Sequence, residues 1–497
     1  MLSRVSVAAV SGRVVRQRAT RCTHPHTRAR LMSVITAAER TVTRARIEAR
    51  ERPGIAATTV KQVARWSAAE WFIVLQTALP ALLFLPGTQA IRLPLRIAPF
   101  AISLALLAHW VFAGGLSERL HPARRWLTAI VILLALMLGH PFTNTAMSAI
   151  AQVFLYISVL GPAFWLPRNI RDTEHARRLL VLMLLCNGSN AVVGVLQAYD
   201  PARFMPEELS ARVLNSTYGL STVSYVGPDG TVVVRPPGLF DNPGAVAVPA
   251  TYAALLGVVF ATTPGPLPIR MLFGAFAVAG VAAICLSLVR TNLLVLGGMF
   301  AFYVWLLVRR NEFGRLALVV PLVIVVAVGG FRLGVHLGGD AVAERFGTLT
   351  DEGTAAYRNA GRTEQLQYAM TDLLMQFPLG AGPGRWGMMQ DYFGDPLSAT
   401  APPIWAELQP NGWILDGGIF LVILYGLALF VTTREDIRLI KNANDQRFRL
   451  VAGVITAANA GVLAMIFGFT PFTNQMGTQY WVLTAILHGA ALRQRAR

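Results

Sequence analysis

About a dozen apolar runs, each close to 20 residues long, occupy most of this chain. An α-helix of about 20 apolar residues matches the hydrocarbon thickness of a membrane, and lipid offers backbone groups no hydrogen-bond partner except within a helix or a closed barrel. The sequence therefore predicts an all-α polytopic membrane protein with about 12 transmembrane helices. The predicted spans are residues 68–87, 97–115, 126–142, 147–166, 178–197, 244–262, 269–288, 292–308, 315–331, 412–432, 449–469 and 476–492.

The scarcity of charge supports this class. Only 14% of the residues are charged, whereas soluble domains carry about 25%. The three cysteines, Cys22, Cys186 and Cys285, are scattered, so their spacing predicts neither a disulfide framework nor a metal site.

Basic residues in the short loops predict the orientation, because such loops stay on the cytoplasmic side. If the spans alternate, all the basic segments fall on one side, which places both termini in the cytoplasm. The two long polar loops, 198–243 and 332–411, then face outward, and the second is expected to carry amphipathic helices. The basic segments are the N-terminal tail, 118–125, 167–178, 309–315, 434–449 and the C-terminal "RQRAR".

Residues 1–66 form a basic tail with about 14 Arg and Lys side chains. We expect it to be a disordered cytoplasmic segment that precedes a transmembrane domain at 67–497. An Arg-rich flank before a first span is typical of a topology signal and of contact with anionic lipid rather than nucleic acid. Two alternatives stay open: an organelle transit peptide, and an over-extended start with the true one near Met32.

The stretch "GRTEQLQYAMTDLLMQFPLGAGPGRWG" combines an amphipathic pattern with a glycine cluster. Leu366, Ala369, Met370 and Leu373 recur at helical spacing, which predicts a surface helix over 362–376 that ends at Pro378 and Gly380. The cluster lacks the preceding strand of a dinucleotide site. We expect instead a tight turn that brings Arg385 and Trp386 to the membrane surface.

Four arginines break the positive-inside pattern on the outward side. The four are Arg235, Arg290, Arg362 and Arg385, and Arg358 lies in the same loop as the last two. Planar guanidinium groups bind phosphate bidentately, so such a cluster suits a diphosphate. Arg290, between two spans with almost no loop, has the alternative interpretation of a snorkelling anchor.

Two acids lie near the last long loop. Glu407 precedes a span, where a carboxylate beside apolar surface has a raised pKa and can act as a base. Asp416 lies at the span entrance, where it could pair with an arginine or complement a helix N-terminus. No His, Cys or carboxylate set has metal-ligand spacing, so we expect no metal and no cofactor.

The order of these motifs resembles the O-antigen ligase and O-antigen polymerase superfamily. "RPPGLFDNPGAVA", with Arg235 and Asn242, is similar to its Arg-x-x-Gly-x-Phe-x-Asn-Pro element, and "LSLVRTNLLVL" resembles its Ser-Arg-(Ser/Thr) turn. Gly361, Arg362 and Gly382 match its loop helix and glycine turn, and "ELQPNGWILDGG" resembles its closing motif. Ligases place a histidine at the start of that motif. In this chain Glu407 occupies the position of that histidine. If the motif is aligned with a shift, Pro410-Asn411 occupies it instead.

The resemblance implies a membrane glycosyltransferase that moves a glycan from an undecaprenyl-diphosphate carrier to a glycan or lipid acceptor at the periplasmic face of the bacterial inner membrane. Arg235 and Arg290 would hold the diphosphate, without metal or nucleotide sugar. The missing histidine favours a polysaccharide polymerase over an O-antigen ligase. A transporter of lipid-linked glycan and a non-catalytic scaffold of an envelope assembly complex are the alternatives from other classes.

Overall fold

Most of the described chain is helical, and the helices follow the predicted apolar runs. The computed structural model describes residues 66–85, 87–118, 120–205, 224–226, 230, 232–240, 242, 244–351 and 362–495. Ala68–Arg497 forms one compact unit, and of the predicted tail only Trp66 is described. The principal helices are α1 (Ala68–Ala81), α2 (Arg92–Phe112), α3 (Arg124–Met137), α4 (Ala146–Asn169), α5 (Thr173–Tyr199), α6 (Ala247–Ala261), α7 (Leu267–Leu286), α8 (Arg290–Arg309), α9 (Phe313–Asp351), α10 (Arg362–Tyr368), α11 (Gly387–Phe393), α12 (Gln409–Lys441), α13 (Gln446–Met465) and α14 (Gln475–Arg495).

Eight helices of the described chain are long and apolar enough to cross a membrane. They are α2, α4, α5, α7, α8, α9, α12 and α13. The expected count of twelve is not confirmed. Helices α1, α3 and α6 contain 14, 14 and 15 residues, fewer than the roughly 17–25 of a single span.

The second long loop is shorter than expected. Helix α9 continues from its apolar half to Asp351, with a non-helical break at Gly339 (φ 63°, ψ −158°), and α12 begins at Gln409. The helix therefore continues past the loop boundary predicted at 332, because charged side chains end an apolar run without ending a helix. Within the first loop, β1 (Ser224–Val226) pairs antiparallel with β2 (Val232–Val234), a small hairpin that the all-α expectation did not include.

Helix α6 lies at the centre of the bundle. It packs against α5, α7, α8 and α13, and it is buried along nearly its whole length. Two glycines permit the close approach of α7: a Cβ atom at Gly257 would lie 2.6 Å from the Phe273 carbonyl oxygen, and one at Gly280 would lie 2.6 Å from that of Ala250. Small residues at such crossings let helix backbones pack closely.

The bundle has two chemically different ends. The basic end carries residues 118, 120–123, 167–178, 309–315 and 434–449, which ion pairs connect: Arg168 with Glu118, Arg447 with Glu174, and Arg449 with Glu312. The loop end carries residues 138–145, 235–240, 242, 244–246, 287–289 and 377–408, where Asn144 Nδ2 donates to the Ala401 carbonyl oxygen (2.6 Å). The predicted grouping of the basic loops at one end is confirmed for these segments, while the side of the membrane that each end faces stays a prediction.

Candidate active site

Arg235 connects two of the predicted motifs at the loop end. Its Nε donates to the carbonyl oxygen of Ser287 (2.9 Å), three positions before Arg290 in the turn between α7 and α8. Gly244 leaves room for the guanidinium, because a Cβ atom there would lie 2.7 Å from Nη2. Nη1 and Nη2 of Arg235 have no hydrogen-bond partner within the described part of the chain, so both terminal nitrogens are available to a ligand.

The segment after Arg235 is held rigidly by α5. Gln197 accepts from the Gly238 N–H (2.8 Å) and donates to the Gly238 carbonyl oxygen (2.9 Å). Asn190 Oδ1 accepts from the Leu239 N–H (3.1 Å). Gly238 has a φ of 67°, and a Cβ atom there would lie 2.0 Å from Asn190 Oδ1. These contacts fix the backbone that carries Arg235.

The turn before Arg290 has an unusual backbone. Leu288 has a φ of 58°, a region that a side chain other than glycine rarely adopts and that is often found at functional sites. Ser287 Oγ supports the turn by accepting from the Val289 N–H (3.3 Å) and donating to the Ile284 carbonyl oxygen (2.7 Å). Arg290 is half-buried and begins α8, between two spans as the sequence predicts.

A further arginine, Arg345, lies close enough to Arg235 to act on it electrostatically. Burial, and then the charge of Arg345, lower the pKa of Arg235. Both effects oppose a buried cation, and a bound anion would relieve them. Sequence reasoning missed Arg345 because it lies outside every motif that was singled out. We call Arg235, Arg290 and Arg345 the arginine group.

Asn242 belongs to a second connection at the loop end. The side chain is exposed, and its Oδ1 accepts from Arg96 Nη2 of α2 (2.8 Å). Arg96 Nη1 also donates to the hydroxyl of Tyr392 in α11. Sequence reasoning missed Arg96 and Tyr392, because an arginine near the start of a span has an adequate explanation as an interfacial anchor.

The glycine cluster fits into a break in α12. Gly418 (φ 62°, ψ −155°) interrupts that helix, and the freed backbone groups pair with the loop: the Ala381 N–H donates to the Leu415 carbonyl oxygen (2.7 Å), and the Ile419 N–H donates to that of Pro378 (3.0 Å). A Cβ atom at Gly382 would lie 3.0 Å from the Thr143 nitrogen. Broken helices persist at membrane depth where protein satisfies their backbone groups.

Asp416 is the polar centre of this junction. Its carboxyl group is fully buried and accepts from Gln152 Nε2 (2.9 Å), the Tyr156 hydroxyl (2.8 Å) and Trp386 Nε1 (2.9 Å). The Gly384 N–H donates to its other oxygen (3.4 Å). Of the two interpretations offered for Asp416, the arginine partner is not seen among these hydrogen bonds, and Asp416 joins α4, the glycine cluster and α12.

Arg385 and Trp386 are buried within the protein, with 5% and 4% of their surface exposed. Their predicted position at the membrane surface stays a prediction. Arg385 donates from Nε (3.2 Å) and Nη2 (2.8 Å) to the Pro402 carbonyl oxygen, and from Nη1 to that of Ala381 (3.2 Å). Burial lowers the pKa of Arg385. These backbone contacts indicate that Arg385 holds the loop, and its predicted contact with a diphosphate stays untested.

Glu407 connects α12 to the amphipathic helix. Its Oε2 accepts from Gln365 Nε2 (2.9 Å), so α10 and the start of the closing motif lie together. Asn411 is buried, and its Oδ1 has no hydrogen-bond partner among the described residues. Gly361 and the side chain of Arg362 lie outside what the structure describes.

The predicted surface helix extends through α10 and the following turns to Gln376. It ends before Pro378, as the sequence predicts, with Ala369 and Leu373 buried.

The comparisons with known proteins add no family assignment. No family model matches the sequence, and no curated protein matches it. The resemblance to the O-antigen superfamily stays a prediction that depends on the motifs themselves.

Proposed function

We propose that this protein is a membrane glycosyltransferase that takes a glycan from a polyprenyl-diphosphate carrier. The observation that supports this best is the hydrogen bond from Arg235 to Ser287, which brings one predicted diphosphate ligand to the turn that ends at Arg290. Nη1 and Nη2 of Arg235 have no hydrogen-bond partner among the described residues, and burial and the charge of Arg345 lower its pKa. A diphosphate would accept hydrogen bonds from these nitrogens and offset the positive charge.

The arginine group would act by stabilising the leaving group. The acceptor hydroxyl oxygen forms a bond to the anomeric carbon of the donor glycan, and the bond between that carbon and the diphosphate oxygen breaks. The electron pair leaves with the lipid diphosphate, where guanidinium groups stabilise the growing negative charge. Glu407 would take the proton of the acceptor hydroxyl as the general base, since Gln365 orients its carboxyl group.

The acceptor on this proposal is a growing glycan, and the bacterial inner membrane is the location. A transfer to a lipid acceptor, as in O-antigen ligases, uses the same arginines and differs in the acceptor. Accumulation of lipid-diphosphate-linked glycan in a deletion strain would support either version, whereas an unchanged glycan length profile without accumulation would contradict both.

The decisive variants are Arg290→Lys and Arg235→Lys. Lysine keeps the charge but loses the planar fork that binds phosphate bidentately. We expect each variant to lower the rate of glycan transfer by about 10²–10³, the usual effect of losing one charge-stabilising donor. Arg332→Lys is the matched control, because Arg332 is exposed on α9. Near-normal transfer by Arg290→Lys at equal membrane levels would identify Arg290 as an anchor and contradict the proposal.

A lipid-linked glycan transporter is the second candidate, and the two broken helices favour it. Helices α9 and α12 break at Gly339 and Gly418 with nearly the same backbone angles, and discontinuous helices often form substrate sites in transporters. Purified protein in liposomes would discriminate: translocation of labelled lipid-linked glycan without bond cleavage supports transport, and glycosidic transfer supports the enzyme.

A further inference from the structure

The segment between α10 and the glycine cluster loses polarity along its length. Asp372 is exposed, and the exposed side chains that follow it include Met375 and Leu379, at 79% and 60%. Residues 373–384 contain no charged side chain. An exposed apolar end on an otherwise polar segment is typical of a surface that contacts a membrane or another protein. We call residues 375–379 the loop tip.

The loop tip packs beside α12, one of the helices that are long and apolar enough to cross a membrane. The Pro378 carbonyl oxygen accepts from the Ile419 N–H (3.0 Å). Phe377 of the tip and Val422 of α12 pack against the same small apolar cluster. Helix α12 begins at Gln409, so the loop tip lies more than two turns along that helix rather than above its end.

The charge pattern of α12 indicates the depth of this contact. Residues 417–433, between Asp416 and Arg434, contain no charged side chain. At 1.5 Å per residue this stretch covers roughly 25 Å of a hydrocarbon layer that is about 30 Å thick. Ile419 and Val422 therefore lie about 3–8 Å inside the uncharged stretch. Interfacial segments bury their apolar side to a similar depth, about 5–10 Å.

The loop tip also adjoins the apolar outer surface of two helices. Phe420 of α12 and Leu136 of α3 are 53% and 72% exposed. Gly380, directly after the tip, lies against both helices, because a Cβ atom there would be 2.9 Å from Met137 Cε and 3.2 Å from the Gly418 nitrogen. Exposed apolar side chains on a helix that crosses a membrane face lipid, so the adjoining tip borders the same lipid.

The irregular backbone of the tip meets a second requirement of membrane depth. Lipid offers no partner to N–H and C=O groups, so non-helical backbone persists there only where protein satisfies it. The Phe377 N–H donates to the Leu373 carbonyl oxygen (2.9 Å), and the Gly380 N–H donates to that of Phe377 (3.0 Å). Pro378 has no N–H, and α12 donates to its carbonyl oxygen. These backbone groups therefore need no water.

We propose that the loop tip inserts into the hydrocarbon edge of the membrane at the loop end, with acyl chains as its partner. Its one polar side chain, Gln376, is uncharged, and Asp372 stays at the level of the headgroups. A soluble partner protein is disfavoured, because the tip lies below the level at which α12 leaves the hydrocarbon. Insertion would fix the glycine cluster at one depth beside α12. The inference rests on this packing and is independent of the proposed glycan transfer.

The test measures the surroundings of a bimane fluorophore on single introduced cysteines. The full-length protein, with Cys22 replaced by serine, is reconstituted in phosphatidylcholine liposomes. Lipids with a doxyl quencher at carbon 5 or carbon 12 of an acyl chain report contact with hydrocarbon, and iodide on both sides of the membrane reports contact with water. Leu397→Cys, at an 89% exposed side chain, is the water-facing control, and Ile423→Cys, at a 48% exposed side chain of α12, is the lipid-facing control.

We expect the label at Leu379→Cys to be quenched most strongly by the carbon-5 lipid, and at least about threefold less by iodide than the label at Leu397→Cys, since the tip lies at a shallow depth in the hydrocarbon. The label at Ile423→Cys should respond most strongly to the carbon-12 lipid. The parent without an introduced cysteine measures the background from Cys186 and Cys285.

Two other outcomes overturn the proposal. Iodide quenching of Leu379→Cys equal to that of Leu397→Cys, without quenching by lipid, would place the tip in water, where a soluble partner could cover it. Absence of quenching by either reagent would indicate that a second copy of the chain covers the tip. If Leu379→Cys does not fold, Met375→Cys, at a side chain that is 79% exposed, is judged by the same results.

Discussion

At the scale of single residues, the glycines of the long helices differ in their backbone angles and in the space around them. Gly426 lies in α12 with open space around it, Gly339 has a φ of 63° and open space, and Gly418 has a φ of 62° with the Pro378 carbonyl oxygen 2.2 Å from where a Cβ atom would lie. Alanine substitutions at the three positions therefore distinguish the effects of helix propensity, backbone strain and loop packing. A side chain at Gly418 would face both the strained backbone angle and the close contact with the loop.

We therefore expect a graded response to alanine. Gly426→Ala should leave the free energy of unfolding unchanged or raise it by up to about 1 kcal/mol. Gly339→Ala should lower it by about 1–2 kcal/mol, because alanine is strained at positive φ. Gly418→Ala should lower it by roughly 3 kcal/mol or more, because the glycine cluster must also move. Unfolding of the purified variants in detergent measures the order, and equal losses at Gly339 and Gly418 would contradict the packing of the loop into the break.

Individual residues also differ in how far the sequence could predict their roles. Arg235 and Arg290 could be singled out because each stands next to an apolar run in a connection predicted to face outward. Asp416 could be noticed but not interpreted, since its donors Gln152, Tyr156 and Trp386 come from positions 30 to 264 residues away in the chain. Contacts of that kind depend on the packing of whole helices, which periodicity does not report.

At the scale of elements, Arg96 is the connection between α2, α11 and the segment before α6. Its guanidinium donates to Asn242 and Tyr392 and lies 5.9 Å from the centre of the Tyr392 ring. Through Arg96, the exposed Asn242 is connected to α2 directly and to Tyr392 of α11 indirectly. This connection supports the backbone that follows Arg235.

Removing the connection should loosen that backbone without unfolding the bundle. In Arg96→Gln we expect faster hydrogen exchange at the amides of Ala245 and Ala247, which donate to Asn242 and Gly244, because local opening becomes easier. Exchange in α6 beyond its first turn should stay slow. Arg92→Gln, one turn earlier in α2, removes the same charge and is the control. Equal acceleration in both variants would indicate an effect of charge rather than of the Asn242 contact.

Element boundaries show why the fold was only partly predictable. Every predicted apolar run coincides with a helix, because burial and lipid both demand apolar residues at these positions. The second half of α9 was missed since Arg332, His336, Asp340 and Glu344 interrupt the apolar pattern, although charged residues are compatible with a helix. Gly339 and Gly418 look like ordinary helix glycines in sequence, so neither break was expected.

At the scale of the whole molecule, the two ends carry different chemistry. The loop end combines the arginine group with the glycine cluster packed against α12. The basic end combines arginine-rich helix termini with cavities, including one of about 850 Å³ lined by Asp172, Asp445 and Arg493. Such segregation is typical of a protein whose ends face different compartments, and the basic end is expected on the cytoplasmic side.

This orientation can be measured by cysteine labelling in intact bacterial cells. Leu397, at the loop end, is 89% exposed, and Asn444, at the basic end, is also exposed. In a chain with Cys22 replaced by serine, Leu397→Cys should react with a membrane-impermeant maleimide before lysis, and Asn444→Cys only afterwards. The remaining cysteines are half-buried (Cys186) and buried (Cys285), so the unsubstituted parent should show little signal and serves as the control. Labelling of Asn444→Cys in intact cells, with Leu397→Cys protected, would reverse the orientation and move the arginine group to the cytoplasmic face, where a periplasmic glycan transfer could not occur.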